Sequence, residues 1–157
     1  HIIAHHQQAV AGDVGADVVV DRVLVQVLAV DQQLRVEHLL PLDPDVEELA
    51  DLRCAVSEAV TNCIVHAYAG TVGNVTLIAK AYSDRTVKIT VYDKGCGIDD
   101  VEKARQPLYT TLPGEDRCGM GFSIMESFSD RLTVSSKSGK GTKVTMIRRL
   151  SDPAPTT

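Results

Sequence analysis

The spacing of apolar residues after Pro44 is that of an amphipathic helix, with one such residue every three or four positions. Asp43 is predicted to be the N-cap and Pro44 the first helical residue, with Glu47 and Glu48 in the first turn. The pattern predicts a long helix that ends near residues 68–70. Its apolar face carries Leu49, Leu52, Val56, Val60, Cys63 and Ala67.

Two pairs of strand-like runs follow this helix, and turn residues separate the members of each pair. The first pair covers residues 75–81 and 87–92, and the second covers 132–136 and 142–148. Because strands adjacent in sequence commonly form hairpins, the pattern predicts an α+β protein and disfavours a doubly wound order. The expected architecture is a two-layer α/β sandwich, with a mostly antiparallel mixed sheet and helices on one face.

The region between the hairpins is predicted to hold two helices and a long connection. Residues 99–105 are expected to form a short helix that stops before Pro107. The connection at 107–118 is long enough to serve as a lid. A second helix is predicted at 121–128, with inward-facing residues Phe122, Met125 and Phe128.

The ends of the chain differ in composition from its middle. Residues 1–40 contain ten valines and no lysine, and only the stretch 18–28 alternates enough to predict a strand. We therefore predict an unassigned N-terminal segment at 1–40, one domain at 41–150 and a frayed tail at 151–157.

Composition and charge exclude several classes of protein. The 157 residues are 44% hydrophobic and 24% charged, which is ordinary for one soluble globular domain. No apolar run approaches the roughly 20 residues that span a bilayer, and a cytoplasmic protein without membrane contact is expected. Residues 53–157 hold fourteen basic against eleven acidic residues, a balance of +3 without a dense basic run. This balance suits an anionic small ligand better than direct binding of nucleic acid.

The four cysteines do not form a recognisable framework. None is spaced as CxxC, so reduced thiols are expected rather than disulfides. Cys63 and His66 are one helical turn apart, but without a second pair at a matching spacing they do not favour zinc.

Three short segments carry candidate chemistry, and the first lies on the long helix. Glu58, Asn62 and His66 are spaced by four residues and share a line roughly opposite the apolar face. Spacing alone is more typical of a solvated face. A ligand-binding face would offer a carboxylate that accepts a proton and an amide oxygen suited to Mg²⁺.

The other two segments are glycine-rich. Asp93 follows a strand and precedes Gly95 and Gly97, so backbone can approach a flat ligand beside an acceptor for an amine. Gly119 and Gly121 open a helix, where free N–H groups favour phosphate. Each segment alone is also typical of an ordinary turn or helix entry. All three in this order, within about 65 residues, are hard to obtain by chance.

These segments resemble the N box and two glycine boxes of the GHKL (Bergerat) ATPase superfamily, and within it the sporulation anti-sigma-F factors. The resemblance covers residues 42–150 and includes the stretches 104–111 and 117–126. It implies a Bergerat-type fold, ATP and Mg²⁺ as cofactors, and Glu58 as the general base. Asn62 would hold Mg²⁺ and Asp93 would bind the adenine amine. The other implied ligand-binding residues are His66, Gly95, Gly97, Ile98, Arg105, Arg117, Gly119, Met120, Gly121, Phe122 and Thr142.

The resemblance also implies a function. Members of this family are homodimers that hold a sporulation sigma factor inactive and phosphorylate an anti-anti-sigma protein on serine. The N-terminal part of the family carries a segment resembling Phe-Ala-Arg. Residues 1–40 depart from this pattern, because position 32 is Gln and no Phe precedes Phe122. Two alternatives stay open, a sensor histidine kinase catalytic domain and a catalytically impaired nucleotide-binding module.

Overall fold

Helices and an antiparallel sheet form two layers in the computed structural model, which describes residues 3–8, 19–27, 42–109 and 119–152. Within these ranges six strands form one sheet in the order β1-β2-β3-β4-β6-β5, and every pairing is antiparallel. The predicted α+β fold with a mostly antiparallel sheet is thus confirmed. The strands are β1 (Ile3–Gln8), β2 (Val19–Val27), β3 (Gly73–Ala81), β4 (Thr86–Asp93), β5 (Arg131–Lys137) and β6 (Gly141–Arg149).

Both predicted hairpins are present, each with slightly longer strands than the pattern indicates. β3 pairs with β4, and β5 pairs with β6, while β6 also joins β4 in the middle of the sheet. The strand predicted at 18–28 is β2, which extends the sheet beside β3. The part of the predicted connection at 110–118 and the tail at 153–157 lie outside the described residues.

Helix α1 (Val46–Asn62) begins two residues later than predicted. Asp43 is not the N-cap, because its backbone has a positive φ of 46°. Asp45 caps the helix instead: its carboxylate accepts from Glu48 N at 2.7 Å, and Glu48 accepts from Asp45 N at 3.2 Å. This capping box satisfies two backbone donors at once, so it defines the helix start better than the proline does.

The last turn of the long helix is a π-helical segment, Cys63–Ala67, rather than a continuation of the α-helix. The amide of Tyr68 donates to the carbonyl of Cys63 at 3.2 Å, which is an i to i+5 bond. A π turn holds more residues than an α turn, so it is expected to change the bearing of His66 relative to Glu58 and Asn62. Such π turns are common at functional sites.

The core lies between α1 and one face of the sheet. Leu52, Val56 and Val60, from the predicted apolar face of α1, are buried. Helix α3 (Gly121–Ser127) places Met125 in this core with no exposed surface, while Phe122 and Phe128 are partly buried against it. The sheet contributes alternate residues, namely Val75, Leu77, Val87, Ile89, Val91, Val144 and Met146.

Two features complete the fold. Helix α2 (Val101–Ala104) is a single turn capped by the carboxylate of Asp100, which accepts from Lys103 N at 3.0 Å. None of the helices in the described ranges is long and apolar enough to cross a bilayer.

Candidate functional site

The first turn of α3 lies against two polar side chains of α1. A Cβ atom built on Gly121 would be 3.1 Å from Oε2 of Glu58 and 3.3 Å from both amide atoms of Asn62. Glu58 and Asn62 are half-buried, one helical turn apart. The structure therefore brings the acid and amide of the first predicted segment beside the second glycine pair.

Asp93 ends β4 with its carboxylate buried and held by three donors. Its Oδ1 accepts from Gly95 N at 2.8 Å and from Thr142 N at 3.3 Å. Its Oδ2 accepts from the thiol of Cys63 at 3.4 Å. Only 5% of Asp93 is exposed, so these bonds replace water around the charge and fix the carboxylate plane.

The thiol of Cys63 lies in a strongly unfavourable place for a negative charge. Burial, followed by the charge of Asp93 and the hydrogen bond to it, raises the pKa of Cys63 well above its usual range. The thiol is therefore protonated at neutral pH and acts as a donor to Asp93.

The π segment supplies the acceptors that hold the loop after Asp93. Cys96 N donates to the carbonyl of Ala67 at 3.1 Å, and the Cys96 thiol donates to the carbonyl of His66 at 3.1 Å. A Cβ atom on Gly95 would lie only 2.3 Å from the Ala67 oxygen. Glycine at position 95 is thus required by contact with the helix end.

The loop also contacts the turn between β5 and β6. Gly97 has a φ of +74°, and a Cβ atom there would lie 2.1 Å from the carbonyl oxygen of Lys137. Gly139 N donates to the carbonyl of Cys96 at 2.6 Å. Residue 97 therefore needs both the left-handed conformation and the small size of glycine.

A hydroxyl pair connects the loop to β5 and β6. Ile98 N donates to Oγ of Ser136 at 2.8 Å, and that hydroxyl lies 2.8 Å from Oγ1 of Thr142. The structure thus groups Asp93, Gly95, Ile98 and Thr142 around one short stretch of backbone.

Three further predicted site residues that the structure describes lie in the chain between α2 and α3. Arg105 forms an ion pair with Glu126 of α3, and its Nε lies 3.1 Å from Glu126 Oε1. Met120 is 41% exposed at the N-cap of α3. Gly119 packs on the preceding segment, since a Cβ atom there would lie 2.5 Å from the carbonyl oxygen of Tyr109. Arg117 lies outside the described residues.

Comparison with known proteins identifies the family to which these features belong. Residues 23–148 match the model of the histidine kinase-like ATPase domain. An anti-sigma F factor from Caldanaerobacter subterraneus subsp. tengcongensis is 54% identical over 107 residues, which cover 68% of this chain and 74% of that protein. The chain belongs to the anti-sigma F factor family.

Further relatives agree with this family assignment. The anti-sigma F factor of Clostridium acetobutylicum is 51% identical over 108 residues, covering 69% of this chain and 75% of that protein. The crystal structure of the RsbU and RsbW domains of a Mycobacterium tuberculosis protein has a TM-score of 0.53 at 22% identity. The match covers 85% of this chain and 33% of the chain in that crystal structure, and it supports the fold alone.

Two residues of the candidate site are not predicted by the sequence patterns. The sequence pattern predicts Cys63 on the apolar face of the helix and disfavours zinc there, and it does not indicate the contact of the thiol with Asp93. The pattern predicts Ser136 only as a strand residue, yet its hydroxyl contacts both Ile98 and Thr142. The signal for Cys63 is its place directly after Asn62, whereas no local pattern marks Ser136.

Proposed function

We propose that this chain is an anti-sigma factor and an ATP-dependent protein serine kinase. It holds a sporulation sigma factor inactive and phosphorylates an anti-anti-sigma partner on serine. The observation that carries the proposal is the contact of Gly121 with Glu58 and Asn62. Glu58 would act as a proton acceptor beside Gly121, in the segment expected to hold the phosphates. The family to which the chain belongs has an ATPase domain, which supports this role.

The buried Asp93 fits the amine of adenine. An ionised carboxylate accepts hydrogen bonds only, with about two acceptor positions on each oxygen. Oδ2 of Asp93 contacts a single weak donor, the thiol of Cys63, and so retains capacity for an amine. Gly95, Gly97 and Ile98 would line the base, with Thr142 beside them.

Asn62 fits a site for Mg²⁺ that the protein shares with phosphate and water. Mg²⁺ prefers oxygen ligands in octahedral geometry and keeps several waters, so one amide oxygen is an adequate protein contribution. Among the described residues, no group of three or more His, Cys, Asp or Glu side chains could hold a metal ion by itself. The ion would neutralise charge on the phosphates.

Glu58 acts as the general base in the proposed transfer. Its carboxylate takes the proton of the partner's serine hydroxyl as the hydroxyl oxygen bonds to the γ-phosphorus. The bond from that phosphorus to the bridging oxygen breaks, and ADP leaves. The residues proposed to hold the phosphates and their surroundings are His66, Arg105, Arg117, Gly119, Met120, Gly121 and Phe122.

Incubation with ATP, Mg²⁺ and a candidate anti-anti-sigma protein tests this function. The expected result by mass spectrometry is one added phosphate on a serine, stable to acid, and none on the Ser→Ala form of the partner. An acid-labile phosphate would indicate a histidine kinase instead. No phosphate on the partner, with ATP bound, would indicate a catalytically impaired module.

A cytoplasmic location is proposed, because a sigma factor and an anti-anti-sigma protein are the proposed partners. A homodimer is also proposed, from the resemblance to the family. The ATPase/kinase domain is proposed to cover residues 41–150. Light scattering after size-exclusion chromatography is expected to give twice the chain mass. A monomer at all concentrations would contradict the dimer without affecting the nucleotide site.

A further inference from the structure

We infer that Cys63 is a positioning residue, which orients the Asp93 carboxylate for the amine of adenine. The inference rests on the proposed role of Asp93. Its structural basis is the 3.4 Å contact between Cys63 Sγ and Asp93 Oδ2, two atoms from residues that are each 5% exposed. Because both residues are buried, water does not compete for this hydrogen bond, and the thiol stays in contact with the carboxylate.

The donors around Asp93 are divided between its two oxygens. Backbone amides of Gly95 and Thr142 both donate to Oδ1, whereas the Cys63 thiol is the only donor to Oδ2 that the described contacts show. Without the thiol, the carboxylate would be held from one side only and could rotate about its Cβ–Cγ bond. The thiol therefore fixes the direction in which Oδ2 presents its remaining acceptor position.

A thiol suits this position because it is a weak donor. A strong cationic donor would compensate the charge on Oδ2 and reduce its attraction for an amine. A thiol has an ordinary pKa of about 8.5 and is protonated at neutral pH, so it donates without adding charge.

The backbone holds Cys63 in place for this role. Cys63 is the first residue of the π segment, and its carbonyl accepts from Tyr68 N at 3.2 Å. It directly follows Asn62, so the turn that presents the amide to Gly121 also presents the thiol to Asp93. One helix end thus supports both the phosphate side and the base side of the proposed site.

The test compares ATP with purine riboside 5′-triphosphate, which lacks the exocyclic amine. Calorimetry on the full chain gives the ratio of the two dissociation constants for the unmodified chain, Cys63→Ser and Cys63→Ala. The two variants differ by one hydroxyl, so Cys63→Ser is the control that restores a donor. A purely structural effect weakens both nucleotides alike and leaves the ratio unchanged.

We expect the unmodified chain to prefer ATP by about tenfold or more, since a hydrogen bond to a charged group contributes that factor. Cys63→Ala is expected to lower this ratio about threefold or more, while Cys63→Ser keeps it. An unchanged ratio in Cys63→Ala would overturn the positioning role alone. A ratio near one in the unmodified chain would instead overturn the adenine role of Asp93, and the inference with it.

Melting temperatures measured in parallel show whether each variant folds. If Cys63→Ala does not fold, the isosteric pair Cys63→Thr and Cys63→Val repeats the comparison with and without a donor. The Val variant is expected to lose the preference that the Thr variant keeps, and equal ratios would overturn the inference.

Discussion

Gly121 and Glu58 lie so close together that a Cβ atom at position 121 would be only 3.1 Å from Glu58 Oε2. Residues 63 positions apart in the chain thus meet through the packing of α3 against α1. The contact depends on the absence of a side chain at position 121, and this dependence can be measured.

Gly121→Ala is expected to lower the rate of phosphotransfer about tenfold or more while leaving the protein folded. Glycine is less favourable than alanine inside a helix by roughly 0.5–1 kcal/mol, so the fold should lose little stability. The added methyl group would instead displace Glu58 or Asn62. Rate assays and melting temperatures, measured on the same preparation, check both parts.

Gly70→Ala is the matched control for that substitution. Gly70 has a φ of +83° with no atom within 4 Å of a built Cβ, so alanine there is strained but touches nothing. It should lower the melting temperature and leave phosphotransfer near the unmodified rate. If Gly70→Ala slowed phosphotransfer and Gly121→Ala did not, the account would be contradicted.

Asp93→Asn is expected to abolish measurable ATP binding. The amide replaces an acceptor oxygen with a donor nitrogen, which repels the adenine amine and the neighbouring donors. The loss is expected to exceed the factor of about ten that one charged hydrogen bond contributes, because the substitution also disturbs the bonds that hold the side chain. Calorimetry measures the affinity, and an unchanged dissociation constant would rule out Asp93 as the adenine acceptor.

Acid stability is expected to depend on Glu48, which joins the start of α1 to the segment after β6. Its carboxylate accepts from Ser151 N at 2.6 Å and from Asp45 N at 3.2 Å. Burial by itself raises the pKa of Glu48, but these hydrogen bonds outweigh it and lower the pKa below its usual value. The folded state therefore binds this proton less readily than the unfolded state.

The sign of the pH effect follows from that lowered pKa. Stability from Glu48 is complete above the unfolded pKa of about 4.3 and is lost as pH falls through the lower folded value. Glu48→Gln should lower the melting temperature at pH 7 and reduce its decline between pH 5 and pH 3. Glu47→Gln, at the exposed neighbouring position, should change neither, and equal effects of both substitutions would refute the assignment.

The sequence predicts the elements well because hydrophobic periodicity and turn residues are local signals. All four strands predicted after residue 70 exist, and the apolar face of α1 is the buried one. The predicted helix start is wrong, because Asp43 and Pro44 match the usual cap pattern while the backbone of Asp43 has a positive φ. The capping box of Asp45 and Glu48 decides the start, and its three-residue spacing is a local sequence signal.

The interior of the candidate site could not be predicted in the same way. The π segment forms where the helix end meets the loop after Asp93, through bonds from Cys96 to the carbonyls of His66 and Ala67. These are contacts between residues about 30 positions apart, and no local pattern indicates them. The ion pair of Arg105 with Glu126 is likewise a property of the packed helices.

Phosphotransfer by Glu58→Gln, with ATP binding measured on the same sample, tests the central claim most directly. Glutamine keeps the size of the side chain but cannot take the serine proton. The account predicts an ATP affinity within about threefold of the unmodified chain and a loss of transfer of about a hundredfold or more. Transfer at the unmodified rate would contradict the role of Glu58 beside Gly121.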